Sequence, residues 1–119
     1  MVLTPDELSR LAAVRTIDLT TIGRHSGSPA RIEIWWFYVE GRFIITGTPG
    51  KRDWYANVLA DPTVVVHAGE QDLAAAATPV SDVDFRTRVF THPDVGWYKT
   101  QAELDQLVAT SPMIEITLK

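Results

Sequence analysis

The chain of 119 residues contains no cysteine. This absence excludes a disulfide framework, thiolate metal sites, iron–sulfur clusters and a cysteine nucleophile. The three histidines lie far apart, and none has the spacing of a zinc-binding helix, so we expect no metal site. No Walker loop, G-x-G-x-x-G turn or G-x-S-x-G elbow follows a predicted strand. Nothing in the sequence therefore points to metal, nucleotide-loop or serine-hydrolase chemistry.

Basic charge and long apolar segments are also scarce. Fifteen acidic side chains outnumber eleven basic ones, and the formal charge of −4 argues against a general nucleic-acid partner. The longest strongly apolar run, residues 32–39, is interrupted by Glu33 and is far shorter than the ~20 residues of a membrane span. The first residues carry no basic run followed by an apolar one, so no signal peptide is indicated. We expect a cytoplasmic protein without a membrane span.

The composition is that of an ordinary globular protein, with 45% apolar and 22% charged residues. A chain of this length without repeats or linkers predicts one domain, residues 1–119. A capping box, Thr4 with Glu7, predicts a first helix over Thr4–Val14, and Thr100 with Glu103 predicts the start of the last helix. Two further helices are predicted over Asp53–Ala60 and Ser81–Phe90. The predicted strands are Thr16–Ile22, Arg31–Val39, Arg42–Thr46, Thr63–Ala68, Asp72–Pro79 and Met113–Lys119.

Tight turns join most of these strands, so the sheet should be mostly antiparallel. Six strands in one small domain favour a closed or partly closed barrel. The predicted fold class is therefore mainly β (α+β), a six-stranded barrel with short flanking helices.

Two loops rich in glycine and basic residues flank the aromatic hairpin at residues 31–46. Arginine and lysine bind phosphate oxygens, glycine admits an anion close to the backbone, and hydroxyl groups add donors. The candidate anion contacts are Arg24, Ser26, Arg31, Thr46, Gly47, Thr48, Gly50, Lys51 and Arg52. Trp54 and Tyr55 nearby would offer flat surfaces to a planar ring. The plainer alternative is that these residues are solvated turns and core aromatics.

Asp53 complicates this site, because as the cap of the following helix its carboxylate would repel a phosphate from the helix amides. Side chains, rather than the helix N-terminus, would then have to bind the anion.

Three ordered segments of the chain resemble the deazaflavin-dependent nitroreductases and quinone reductases. They are Thr20–Gly27 (TTIGRHSG) with Arg31–Trp35 (RIEIW), then Gly47–Pro62 (GTPGKRDWYANVLADP), and more loosely Leu104–Ile116. The resemblance covers residues 16–68 well. It implies the split β-barrel of flavin and deazaflavin enzymes, a superfamily that includes the pyridoxamine-phosphate oxidases.

The resemblance also implies a cofactor, coenzyme F-420, which is an 8-hydroxy-5-deazaflavin with a phosphate and a polyglutamate tail. Its phosphate would meet Arg31, Thr46, Lys51 and Arg52, while Arg24 and Arg31 would meet acidic parts of the cofactor. Trp54 or Tyr55 would help to wall the site. Tyr98 lies where the family often places a substrate-side tyrosine, and it is the candidate proton donor or positioning residue. The function implied is hydride transfer from reduced F-420 to a small planar apolar acceptor, quinone-like or nitroaromatic-like.

Two alternatives stay open at this point. One is an FMN-dependent oxidoreductase resembling pyridoxamine-phosphate oxidase, because FMN shares the phosphorylated ring-and-ribityl framework. The other is a non-catalytic flavin- or deazaflavin-binding protein. We also expect a homodimer, because Arg31–Val39 is aromatic on both faces and a strand lining one core needs only alternate apolar residues.

Overall fold

The structure, a computed structural model, describes residues 2–119 as one β-barrel with four α-helices and a 3₁₀-helix. The helices are α1 (Pro5–Ala13), α2 (Asp53–Ala60), α3 (Val83–Thr91) and α4 (Leu104–Thr110), and the 3₁₀-helix spans Pro93–Thr100. The strands are β1 (Thr16–Ile22), β2 (Pro29–Trp35), β3 (Phe37–Val39), β4 (Arg42–Thr46), β5 (Thr63–Ala68), β6 (Gln71–Pro79) and β7 (Met113–Leu118). The mainly antiparallel barrel with short helices is therefore confirmed, with seven strands in place of six.

The extra strand arises because the predicted strand Arg31–Val39 bends at Trp36. The sheet order is β2-β1-β5-β6-β7-β4-β3, so its two edge strands are consecutive in the chain and only Trp36 separates them. The Trp36 ring is 1% exposed, stacks on Phe43 with centroids 4.2 Å apart, and donates from Nε1 to the Val14 carbonyl at 2.8 Å. A buried, hydrogen-bonded indole thus fixes the corner where the two halves of the barrel meet.

Side chains alternate across the bent strand as its period-2 pattern predicts. Ile32, Ile34 and Trp36 pack into the barrel core, while Arg31 and Glu33 face outward and are exposed. The outward side of β3 differs, because Phe37 and Val39 are buried in a second core beneath α3, the 3₁₀-helix and α4. The prediction that the whole aromatic strand offers a face to a partner is therefore wrong for its second half.

Of the three helix N-caps predicted from the sequence, the structure has one. The capping box of Thr4 and Glu7 is confirmed, since each side chain bonds the other residue's amide at 3.1 Å. The second capping box is wrong, because Thr100 lies in the 3₁₀-helix and its hydroxyl donates to the Trp97 carbonyl. The predicted capping by Asp53 is also wrong, because α2 has Arg52 at its N-cap and Asp53 already lies inside the helix.

Strand directions gather several loops at one end of the barrel. Strands β1 and β4 both run toward this end, and β5 and β7 both start from it. The loop 23–28, the loop 47–52, helix α2 and residues 109–112 therefore meet there. The predicted convergence of the two basic loops follows from this topology.

No helix within residues 2–119 is long and apolar enough to cross a membrane. In the same residues no three His, Asp or Glu side chains are grouped to hold a metal ion. His67 is instead held between the Thr20 hydroxyl and the Asp72 carboxylate, each 2.7 Å from one ring nitrogen.

Candidate cofactor site

Three adjoining clefts form a groove across the loop end of the barrel, and we call this surface the basic groove. The first cleft, about 250 Å³, lies between the loop 23–28 and α2. The second, about 310 Å³, shares Arg24 and Asp53 with the first. The third, about 550 Å³, shares Lys51, Arg52 and Tyr55 with the second and extends to Ser111. An elongated ligand could thus contact both basic loops at once.

Arg24 is fixed in the first two clefts by helix α2. Its backbone N–H and its Nη1 both donate to Asn57 Oδ1, at 3.1 and 2.9 Å, and its Nη2 donates to Asp53 at 3.2 Å. Asn57 is 4% exposed and donates from Nδ2 to the Thr21 hydroxyl at 3.0 Å. Ser26 lines the first cleft, where its Oγ accepts from the Ser28 amide at 3.1 Å. The loop 23–28 is therefore held in place before any ligand arrives.

The second basic loop is shaped around the Arg52 guanidinium. Arg52 Nη2 donates to the Thr48 hydroxyl at 2.9 Å and to the Thr48 carbonyl at 3.1 Å. Gly47 and Gly50 lie against the same guanidinium, since a Cβ would come to 3.5 Å and 3.0 Å from its nitrogens. Gly50 also has φ +136°, a conformation that other residues rarely adopt. The absence of a side chain at both glycines thus leaves room for the Arg52 guanidinium.

The third cleft contains two residues that sequence reasoning missed, Arg86 and Ser111. Arg86 is 7% exposed, and its guanidinium donates to the carbonyls of Val80, Val108 and Ser111 at 2.6–2.8 Å. Burial lowers the pKa of Arg86 from its usual value, although the residue stays cationic at neutral pH. The Ser111 side chain is buried, and its Oγ has no hydrogen-bond partner within residues 2–119.

The charge around the groove is strongly one-sided. Arg24, Lys51, Arg52 and Arg86 line it, against one carboxylate, Asp53. Asp53 pairs with Arg24, and in the described chain the other three cations form no ion pair. In a chain with a formal charge of −4, three unneutralised cations along one cleft favour an anionic ligand.

Three residues predicted for the site have other surroundings. The Thr46 hydroxyl is buried and donates to the Pro112 carbonyl at 2.7 Å. Trp54 packs into the barrel core at 7% exposure, whereas Tyr55 lines the second and third clefts. Arg31 pairs with Asp18 at 2.8 Å on the outer face of β2 and lines none of the three clefts. The contacts of Thr46 and Trp54 with a cofactor remain predictions, and we expect Arg31, on the outer face, to contribute little to cofactor binding.

Tyr98 lies in the second core. Its ring makes edge contacts with Trp35, Phe37, Phe90 and Trp97 at centroid distances of 5.2–6.2 Å. Burial raises the pKa of Tyr98 to about 12, and the positive charges of Arg15 and Arg52 partly oppose that rise. The phenol is therefore protonated at neutral pH and can act only as a neutral donor or acceptor.

Solved structures share this barrel. A conserved hypothetical protein from Mycobacterium tuberculosis is 20% identical with a TM-score of 0.72, covering 100% of this chain and 82% of that one. A candidate pyridoxamine 5'-phosphate oxidase from Listeria innocua is 13% identical with a TM-score of 0.71, covering 94% and 90%. An F-420-H2 dependent reductase is 21% identical with a TM-score of 0.63, covering 87% and 94%. The fold is thus the split barrel of the pyridoxamine-phosphate oxidase type.

None of the curated proteins matches the chain with significance. The family model of the F-420H(2)-dependent quinone reductases matches residues 6–109, so the chain belongs to that family. It is an F-420-dependent reductase, and coenzyme F-420 is its cofactor. The predicted membership of the deazaflavin-dependent reductases, based on the segments at residues 20–35 and 47–62, is therefore confirmed.

Proposed function

We propose that the protein transfers a hydride from reduced F-420 to a small planar apolar acceptor, quinone-like or nitroaromatic-like. The observation that carries the proposal is the basic groove, with Lys51, Arg52 and Arg86 lining one cleft without a counter-charge. The phosphate and carboxylate groups of the cofactor supply the complementary charge.

Different residues of the basic groove would contact different parts of the cofactor. Lys51 and Arg52 would hold the ionised end of the cofactor, and the bonds from Arg52 to Thr48 preorganise that loop. Arg24 and Ser26 would contact polar groups further along the groove, and the half-buried Tyr55 would cover its apolar part. When bound, the reduced deazaflavin supplies a hydride, and the protein contributes orientation and exclusion of water.

Tyr98 is proposed as the residue that positions the acceptor or donates its proton. The phenol keeps its proton at neutral pH, because its pKa is about 12. It also contacts Trp35 and Trp97, which are 36% and 50% exposed. These two indoles, 5.4 Å apart, offer flat apolar surface that suits a planar acceptor.

The test is oxidation of reduced F-420 by the purified protein in the presence of a naphthoquinone or a nitrobenzene derivative. We expect turnover with at least one acceptor, and a Tyr98→Phe variant that binds F-420 normally but turns over at least tenfold more slowly. F-420 binding without turnover of any planar acceptor would favour a cofactor-binding protein. Unchanged turnover in Tyr98→Phe would contradict the proposed role of the Tyr98 hydroxyl and indicate that this side chain only packs in the second core.

A homodimer remains part of the proposal. One structure of this fold, 21% identical with a TM-score of 0.63, is a domain-swapped dimer. The exposed indoles of Trp35, at the end of β2, and Trp97, in the 3₁₀-helix, are apolar surface that such an assembly would cover. We expect light scattering at micromolar concentration to give twice the chain mass, and a monomer mass would overturn this assignment.

A further inference from the structure

A threonine, a histidine and an aspartate are joined by hydrogen bonds on the outer face of the sheet. Thr20 Oγ1 lies 2.7 Å from His67 Nε2, and Asp72 Oδ1 lies 2.7 Å from Nδ1 of the same ring. Their strands, β1, β5 and β6, are neighbours in the sheet. None of these three residues lines the basic groove. The cluster therefore lies outside the cofactor site.

Asp72 fixes the position of the proton on the imidazole. An ionised carboxylate can only accept a hydrogen bond, so Nδ1 carries the proton of the neutral ring. Nε2 then has a lone pair, to which the Thr20 hydroxyl donates. The His67 side chain is only 13% exposed, so few water molecules compete for that lone pair. The hydroxyl, imidazole and carboxylate thus have the order of a nucleophile, its general base and the group that orients the base.

Arg31 adds a cation beside the Thr20 hydroxyl. It lies directly opposite Thr20 in the register of β1 and β2, so the two Cβ atoms are about 4.5–5.5 Å apart. Arg31 Nε donates to Asp18 at 2.8 Å, while Nη1 and Nη2 make no hydrogen bond to any of residues 2–119. These N–H groups can bind an oxygen that becomes negative beside Thr20.

Small apolar side chains lie on the other side of Thr20. Val65 is opposite Thr20 on β5, and Ala74 is opposite Val65 on β6. Thr20 and Val65 are half-buried and Ala74 is exposed, so no large side chain covers the hydroxyl from these two strands. This surface suits a small apolar acyl group.

We propose that Thr20 is the nucleophile of a second activity, the hydrolysis of small activated carboxylic esters. Thr20 Oγ1 attacks the ester carbonyl carbon as its proton passes to His67 Nε2, and Arg31 binds the carbonyl oxygen as it becomes negative. The bond from that carbon to the leaving oxygen breaks, the leaving alcohol takes the proton from His67, and the acyl group stays on Thr20.

Water completes the reaction. It gives a proton to His67 and attacks the acyl-threonine, which releases the carboxylic acid as the proton returns to Thr20 Oγ1. The net reaction converts an ester and water into an acid and an alcohol, so it requires no redox partner. The activity is independent of F-420 and goes beyond the proposed function.

The test is hydrolysis of p-nitrophenyl acetate by the purified protein, followed by the absorbance of nitrophenolate. We expect Thr20→Val, which keeps the shape and loses the hydroxyl, to lower turnover by about tenfold or more, and Thr20→Ser to retain most of it. Asp72→Asn should also lower turnover and Asp72→Glu should restore part of it, because a carboxylate fixes the proton on Nδ1. Thr16→Val is the matched control, since Thr16 is an exposed threonine on the same face of β1.

The position of the acyl group is a second readout. In the original protein, peptide mass analysis after quenching during turnover should find the acetyl group on Thr20. Turnover no faster than in buffer, equal turnover in Thr20→Val, or an acetyl group on His67 or a lysine instead would overturn the proposal. If Thr20→Val did not fold, the two Asp72 variants and the acetyl position would decide. F-420 binding should be equal in all these variants, so failure of the esterase leaves the proposed reductase function intact.

Discussion

Replacing Lys51 and Arg52 together with alanine tests the basic groove most severely. Neither side chain is paired with a carboxylate, so their full charge is available to a bound anion. One charge-assisted hydrogen bond from each is worth about 1.5–3 kcal/mol. Because neighbouring contacts couple, we expect a combined loss of about 2–4 kcal/mol of binding free energy, roughly 30- to 1,000-fold in Kd.

The assay is a fluorescence titration of F-420 at low and at raised salt. Exposed charges are screened by salt, so binding to the original protein should weaken as salt rises, and the double variant should show a flatter dependence. Arg88→Ala is the control, because it removes a cation of the same chain that pairs with Glu40 away from the groove. Near-original affinity in a folded double variant would refute the assignment of this loop to the cofactor.

Three further predictions concern single residues. Arg31→Ala should cost under ~1 kcal/mol of stability, since its pair with Asp18 is exposed, and should change F-420 affinity less than threefold. A tenfold loss would instead move the phosphate to the outer face of β2. Gly50→Ala should destabilise the loop by about 1 kcal/mol or more and weaken F-420 binding, because φ is +136° and the new Cβ would lie 3.0 Å from Arg52 Nη1. An F-420 affinity and an unfolding midpoint equal to those of the original protein would contradict this prediction. Burial raises the pKa of Tyr98 to about 12, above the ordinary value of 10. The contribution of the neutral phenol to the free energy of unfolding is therefore complete below pH 10 and is lost as the pH rises toward 12. The free energy of unfolding measured with urea should therefore fall by about 2 kcal/mol between pH 10 and pH 12, and Tyr98→Phe should remove this part of its pH dependence. An identical pH dependence in both proteins would contradict the assignment.

The fold was largely predictable because its signals are local. Strands β1, β4 and β5 and helix α2 have the predicted bounds, since turn residues and alternating apolar side chains mark them. The bend at Trp36 was not predictable, because its cause is a tertiary contact between that indole and the Val14 carbonyl. The burial of the outer face of β3 beneath the helices is likewise a tertiary effect, invisible to a period-2 pattern.

The site divides in the same way. The two basic loops were predictable from composition and from their resemblance to a family. Arg86 was not, because an arginine among apolar helix positions gives no sign of which carbonyls it will bond. Ser111 lies in the segment Leu104–Ile116, which resembles the family only loosely, and its unpartnered hydroxyl becomes evident only once α4 and β7 are placed. Asn57 had a weak signal, its place in the segment Gly47–Pro62, but its bonds to Arg24 depend on the folded loops.

The central claim is that the basic groove holds coenzyme F-420, and parallel titration of the purified protein with F-420 and FMN tests it most directly. Both ligands carry a phosphorylated ribityl chain, so any difference reports the ring and the longer acidic tail. We predict saturable binding of F-420 at one per chain, at least tenfold tighter than that of FMN. Tight binding of FMN with no binding of F-420 would contradict the account.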